Sequence, residues 1–294
     1  MTRFIVLCFL LIFFSCTKRE EITQYAPIET YPSDTILNSI DKKIALAITA
    51  HDDDLAIMAG TFSKLKKDGW SLLHVYFPHK DNKRKEAHQL ATKLILDSVF
   101  MFGFDYNEYR FDLDSDKKSW EPMPLDEFHK TFNYPLFETQ IMELAKEFSP
   151  SVIFTLDSDY GAYGNPEHIF ISKLVLDLAK ADSIAPDYIY QGVMTKHMEQ
   201  TIIEERHSRK MKSWGYEGDG WKKTRLLYRV DGMPEPNVQI NITTEAKSKM
   251  NYLKSNLGRQ RKTLGTYLPA FEEYDAEEYF EVFDREFFRV LKIN

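Results

Sequence analysis

Short apolar runs alternate with segments of helical period through the first two-thirds of the chain. Ile44 to Ala50 is an apolar run of the kind a strand buried on both faces requires. From Asp54 the apolar positions Leu55, Met58, Ala59, Phe62 and Leu65 recur at helical spacing, and Asp68-Gly69 ends that helix. The alternation continues with a strand at Leu72 to Phe77, a helix at Lys83 to Leu96 and a strand at Val99 to Phe102 closed by Gly103. A longer helix follows between Leu125 and Phe148, broken by Pro150, then a strand at Val152 to Leu156, a helix from about Glu167 to Ala181 and a strand at Tyr188 to Tyr190. This order predicts an α/β fold: a Rossmann-like three-layer sandwich with a mostly parallel sheet and helices on both faces. Crossovers in such a sheet are right-handed, and ligands bind outside the carboxyl ends of the strands, where strand order reverses. After Gln191 the pattern weakens. Residues 192 to 237 are polar, aromatic and irregular, while Thr244 to Leu257 and Asp275 to Leu291 read as helices. This C-terminal third is expected to pack on the sheet and form a rim.

The amino terminus breaks the pattern. Arg3 precedes an uninterrupted apolar run from Phe4 to Phe14, followed by Ser15-Cys16 and the polar Thr17 to Glu21. That run is shorter than the ~20 residues a spanning helix needs. A basic residue, a short apolar core and a small residue form a secretory signal. A cysteine directly after the small residue looks like a bacterial lipobox. Residues 1–15 therefore read as a signal peptide and Cys16 as the lipidated first residue; a plain signal or an uncleaved anchor are the alternatives. Residues 16–41, polar and carrying Pro27 and Pro32, are expected to be a tether, and 42–294 the domain. The implied location is the bacterial cell envelope, periplasmic or surface-exposed, with the membrane reached through the lipid.

Composition narrows the chemistry. The 294 residues, 43% hydrophobic and 28% charged, suit one large globular domain. A net charge of -7 argues against nucleic acid as a partner. Both cysteines, Cys8 and Cys16, lie in the leader, so the body has no thiol and any metal must be held by His, Asp or Glu.

Two polar clusters fall at carboxyl ends of predicted strands. His51-Asp52-Asp53-Asp54 follows the first. A catalytic zinc site takes three ligands from His and carboxylate and leaves one position open. The two residues between His51 and Asp54 let both point at one ion across a strand-to-helix turn, with Asp53 facing the open position as a general base. The competing reading is an acidic helix cap, which accounts for one Asp but not for His plus three acids. The second cluster runs from Asp157 to His168 after the fourth predicted strand. Its glycines shape a loop, Pro166 suits a first helical turn, and His168 faces the crevice from that turn. A lone His there is usually a surface residue; two clusters at one sheet edge favour a single-metal hydrolytic site.

The pair resembles the zinc-dependent N-acetylglucosamine deacetylase family, PIG-L or LmbE-like. That family carries His-Pro-Asp-Asp after its first strand and a Tyr-Gly-His-Pro-Asp-His type motif after a later one. Here they stand as His51-Asp52-Asp53-Asp54 and Tyr163-Gly164-Asn165-Pro166-Glu167-His168, and the resemblance spans roughly Lys43 to Gln191. It implies Zn2+ as cofactor, held by His51, Asp54 and His168, with Asp53 as general base and Tyr163 and Asn165 on the oxyanion. It also implies Asp105 and Arg84 as contacts to sugar hydroxyls, and an N-acetylated sugar or glycan that loses its acetyl group by hydrolysis.

The sequence departs from the family at several points. Asp52 replaces Pro, Glu167 replaces Asp, and Asn165 replaces a His that assists the oxyanion and the leaving group. Asn donates a hydrogen bond but supplies no proton, so the general acid would be Tyr163, Asp53 returning its proton, or a group the sequence does not reveal. Between Lys249 and Gln260, where the family has a His and a Ser-Gln pair, Asn256 and Gln260 are the only echoes. These departures motivate the alternative: a glycan-binding lipoprotein that keeps the metal site with little or no activity. Elsewhere, His79 follows the second strand and lies near the crevice, while His74 reads as a strand residue. His88, His129, His197 and His207 lack partners at metal spacing. The run Trp214-Gly-Tyr-Glu-Gly-Asp-Gly-Trp221 reads as a substrate lip or as an ordinary surface loop with buried anchors.

Overall fold

In the computed structural model, which describes residues 21–112 and 118–293, seven strands form one sheet. They are β1 (Ile44–Ile48), β2 (Ser71–Tyr76), β3 (Ser98–Met101), β4 (Val152–Leu156), β5 (Tyr188–Val193), β6 (Val238–Asn241) and β7 (Arg285–Lys292). Their order is β3-β2-β1-β4-β5-β7-β6. The first five pair in parallel, and β7 runs antiparallel to both β5 and β6. Strand order reverses between β1 and β4, so the crevice of an open α/β sheet opens beyond these two strands.

Buried side chains alternate between two cores along β1. Ala45 and Ala47 face one core with Phe62, Leu65 and Leu253; Leu46 and Ile48 face the other with Phe137, Ile141 and Phe170. Helices α1 (Ala59–Lys67), α2 (Asn82–Thr92), α3 (Tyr134–Phe148), α4 (Pro166–Lys180), α5 (Gly220–Tyr228), α6 (Ala246–Ser255) and α7 (Gly258–Tyr267) complete the layers. The expected three-layer α/β architecture is the observed one.

Three expectations need correction. Asp275 to Leu291 is not one helix: a helix covers Ala276–Val282 and β7 follows. The run Phe287, Phe288 and Val290 is buried between β5 and β6, and ladder pairing there outweighs helical spacing. Together with the unforeseen β6, the C-terminal third extends the sheet rather than only rimming it. Glu286 of β7 is buried and accepts from the backbone N–H groups of Gly60 (2.8 Å) and Thr61 (2.7 Å), holding the start of α1. The Leu125 to Phe148 helix is interrupted: short turns end at Thr131, and α3 starts anew at Tyr134 with Pro135 in its first turn.

The third correction concerns the tether. From Ile22 onward it lies on the body. Ile22, Leu37 and Ile40 are buried, Ser33 bridges to Gln239, and Asp34 accepts from the Tyr190 hydroxyl at 2.6 Å. Cys16 and the segment expected to be a signal peptide lie outside the described residues. No helix among the described residues is long and apolar enough to cross a membrane.

Between β2 and α2 two histidines are buried together. His74 Nε2 lies 2.8 Å from Thr49 Oγ1, and its Nδ1 lies 3.1 Å from His88 Nε2. Burial pushes His88 down to about 4 and His74 well below the usual imidazole range. The unfolded chain binds protons below pH 6.5 that the fold excludes, so stability is full above 6.5 and falls as pH drops toward 4. At about 1.4 kcal/mol per pKa unit, His88 alone removes about 3 kcal/mol by pH 4. Urea unfolding across this range is expected to show a shallower pH slope in His88→Gln than in the wild type. Parallel slopes would contradict the assignment.

Candidate metal centre and active site

Both polar clusters sit where β1 and β4 end, on either side of the strand-order reversal. After β1, a tight turn runs through Asp53–Ile57 before α1 begins. Asp54 Oδ2 accepts from the His51 backbone N–H at 2.7 Å, and Asp52 Oδ1 accepts from that of Asp53 at 2.9 Å. The turn therefore fixes its own carboxylates. After β4, the buried Asp157 carboxylate accepts from the backbone N–H groups of Asp159, Tyr160, Gly161 and Ala162, at 2.6 to 3.2 Å. That carboxylate is the hub around which the loop folds. At Gly164 (φ +93°) a Cβ would meet the Thr224 side chain at 2.0 Å, so only glycine fits. Asn165 then caps α4, its Oδ1 accepting from the Glu167 backbone N–H at 2.9 Å.

This folding brings His51, Asp54 and His168 together, with one ligand atom from each inside 4.8 Å of the others. His168 Nε2 lies 3.1 Å from Asp54 Oδ1 and 3.0 Å from His51 Nδ1. The outward ring nitrogens are fixed elsewhere. His168 Nδ1 faces the Gly161 carbonyl at 3.2 Å, which can only accept, so Nδ1 carries the proton and Nε2 offers its lone pair inward. His51 Nε2 lies 2.8 Å from Glu167 Oε2. Glu167 is itself held by Arg110 Nη1 at 3.0 Å and the Tyr109 hydroxyl at 3.1 Å. Metal-binding histidines are oriented in this way, with the far N–H given to a carboxylate or carbonyl. Two imidazole nitrogens and a carboxylate converging on one point, without thiolate, fit a zinc ion.

The local charge agrees. Burial opposes a charge on His51, yet Asp54 and Glu167 outweigh it and raise its pKa well above the usual range. Burial likewise opposes ionisation of Asp54, but His168 and His51 hold its carboxyl below the ordinary range. Asp53 stands apart. Burial, reinforced by the charges of Asp52 and Asp54, pushes its carboxyl up to about 6. That is the range of a group that takes a proton near neutral pH and returns it.

Asp52, without a role in the sequence, receives one. It is fully buried and pairs with Arg84, whose Nε lies 2.9 Å from Oδ2 and whose Nη2 also reaches the carboxylate. Gln260 Nε2 adds a bond at 3.1 Å. Burial opposes the Asp52 charge, but Arg84 outweighs it and holds the carboxyl down at about 2. The acid in place of proline and Arg84 thus belong to one pair. Arg84 borders the cavity with its Nε and Nη2 on the Asp52 carboxylate. Asp105 is exposed, its backbone N–H is bonded to Glu108, and its neighbours Tyr106, Asn107 and Tyr109 border the cavity. His79 borders the cavity 4.0 Å from Asp52 and outside the converging set.

Tyr163 packs edge-on against His168, with ring centroids 5.3 Å apart. Asn165 is buried and its Nδ2 donates to the Tyr163 hydroxyl at 3.2 Å. The amide thus orients the Tyr163 hydroxyl. Tyr267 of α7 stacks on Tyr163 at 5.2 Å, and His207 meets both rings. Arg110, Tyr109, Tyr267 and His207 are residues sequence reasoning missed. They come from irregular segments or distant elements, and no spacing links them to the motifs. Asp157 lay inside the motif run, and its place directly after a buried strand was the available signal. The cavity over the centre has a volume of about 1350 Å³.

The family model described as PIG-L, GlcNAc-PI de-N-acetylase, matches residues 46–179. No curated protein sequence matches the chain. Similar solved structures include N,N'-diacetylchitobiose deacetylase from Pyrococcus horikoshii, at 14% identity and TM-score 0.44, covering 88% of this chain and 89% of that one. The A40926 pseudoaglycone deacetylase is 12% identical at TM-score 0.49, covering 86% and 99%. A hydratase, GalB from Pseudomonas putida, is 11% identical at TM-score 0.46, covering 85% and 96%. Activities in this group differ, and the likenesses assign none to this chain. The family match spans both motifs from β1 to α4, and over residues 46–179 this chain is a PIG-L family domain.

Proposed function

We propose that the protein is a zinc-dependent amide hydrolase that removes the acetyl group from an N-acetylated sugar, as part of a glycan or glycoconjugate. The observation that carries this reading is the convergence of His51, Asp54 and His168, with Asp53 beside them on the cavity wall. The family description, a de-N-acetylase acting on an amino sugar, supports the substrate class. His51, Asp54 and His168 would hold the ion, which when bound polarises a carbonyl and acidifies water.

The chain's own residues do the rest. Asp53 takes the proton of the attacking water and passes it to the amine nitrogen as the amide C–N bond breaks. Tyr163 donates to the carbonyl oxygen as negative charge develops there, and Asn165 keeps its hydroxyl in line. Tyr163→Phe removes that donor and is expected to lower kcat by about 10²–10³. Metal content and the circular dichroism spectrum should stay as in the wild type. Unchanged kcat in this variant would remove Tyr163 from the mechanism. The leader pattern ending in Ser15-Cys16 supports placement at the bacterial envelope on a lipid anchor; mass spectrometry of the processed amino terminus tests this.

A further inference from the structure

Three of the four tryptophans, Trp120, Trp214 and Trp221, border the cavity that holds the metal centre. The fourth, Trp70, is in the core. Trp214 and Tyr216 flank Gly215, whose φ of +85° turns the loop between them, and they remain 51% and 43% exposed. Trp120 comes from a separate segment and meets Tyr216 edge to face at 5.2 Å, so the two loops close on each other across the rim.

Not every aromatic at the rim has a free face. The Arg225 guanidinium covers Trp221 at 4.7 Å, with Lys222 at 5.2 Å, and the Lys80 ammonium covers Tyr106 at 4.9 Å. Trp120, Trp214 and Tyr216 carry no such cation among the described residues. Exposed aromatic area grouped at the mouth of a cavity marks a binding surface. A pyranose suits it: the C–H face of the ring lies on the aromatic plane while its hydroxyls stay in water. Size points the same way. The cavity, at about 1350 Å³, exceeds the roughly 300–1,000 Å³ usual for one drug-sized ligand. One acetylated sugar ring at the metal leaves most of it unfilled.

We infer that Trp214 and Tyr216, backed by Trp120, form a second subsite that binds a further sugar ring, so that the substrate is an N-acetylated glycan of two or more rings. This rests on the sugar-amide reading above. The test is calorimetric titration of the zinc-loaded full chain with N-acetylglucosamine and with its β-linked dimer and tetramer, alongside acetate release from each. Wild-type affinity is expected to rise about tenfold or more from monomer to tetramer. Trp214→Ala and Tyr216→Ala, at exposed positions, should each abolish most of that rise and leave monomer affinity within about twofold. Equal loss for monomer and tetramer, or no loss in either variant, would overturn the subsite. Length-dependent binding without acetate release would remove the hydrolase reading and leave the subsite standing. Acetate release with no length dependence would do the reverse.

Discussion

Asp53→Asn is expected to lower acetamide hydrolysis by about 10²–10⁴, the span that a positioned acid–base group contributes. The substitution keeps size and shape, and an amide cannot accept the proton of water. Asp53 is not in the converging ligand set, so zinc content should remain at one ion per chain. The pH profile sharpens the test. Burial raises its carboxyl, so activity is expected to fall along an acid limb as pH drops, because the protonated form is no base. The residual rate of the variant should lose that acid limb. An unchanged rate would return Asp53 to a helix-capping role, and loss of zinc would make it a ligand.

Glu167→Ala should be the most destabilising change at the site outside the ligand set. Its carboxylate joins His51 Nε2, Arg110 Nη1 and the Tyr109 hydroxyl at a site where Arg110 and Glu167 are each nine-tenths or more buried. Removing one partner of a buried pair costs about 3–5 kcal/mol, because the other charge stays behind. Arg110 keeps Asp112, which places the expected loss at the lower end. His51 also loses the group that fixes its ring, and such losses weaken metal binding about 10–100-fold. Glu167→Gln separates the two effects: it retains hydrogen bonds but not charge, and should recover most of the stability and less of the zinc affinity. Urea unfolding and competitive chelator titration measure them. Full stability and full zinc affinity in Glu167→Ala would contradict the positioning role.

The sheet was legible because the five parallel strands, four of them buried, were written as short apolar runs. Legibility failed where pattern and partner disagreed. Glu286 to Leu291 has no strand-like alternation, and only the antiparallel pairing with β5 and β6 reveals β7. The tether failed for a related reason: Ile22, Leu37 and Ile40 are scattered among polar residues, and their burial depends on surfaces formed far along the chain. At the site, residues adjacent in sequence were readable and those brought by tertiary folding were not. His51, Asp54 and His168 follow from two loops at one sheet edge. Arg84 was placed by register alone, and its pairing with Asp52, 32 residues away, was not readable from spacing.

The central claim is that this chain hydrolyses an acetylated amine at a metal held by His51, Asp54 and His168. Acetate release from a panel of N-acetylated sugars and glycans, followed on purified protein before chelation, after it, and after zinc is restored, tests this most directly. Release is expected, with its loss on chelation and its return with one zinc per chain. A zinc-loaded protein that binds these sugars and frees no acetate would contradict it, and would make the chain a glycan-binding protein with a metal site.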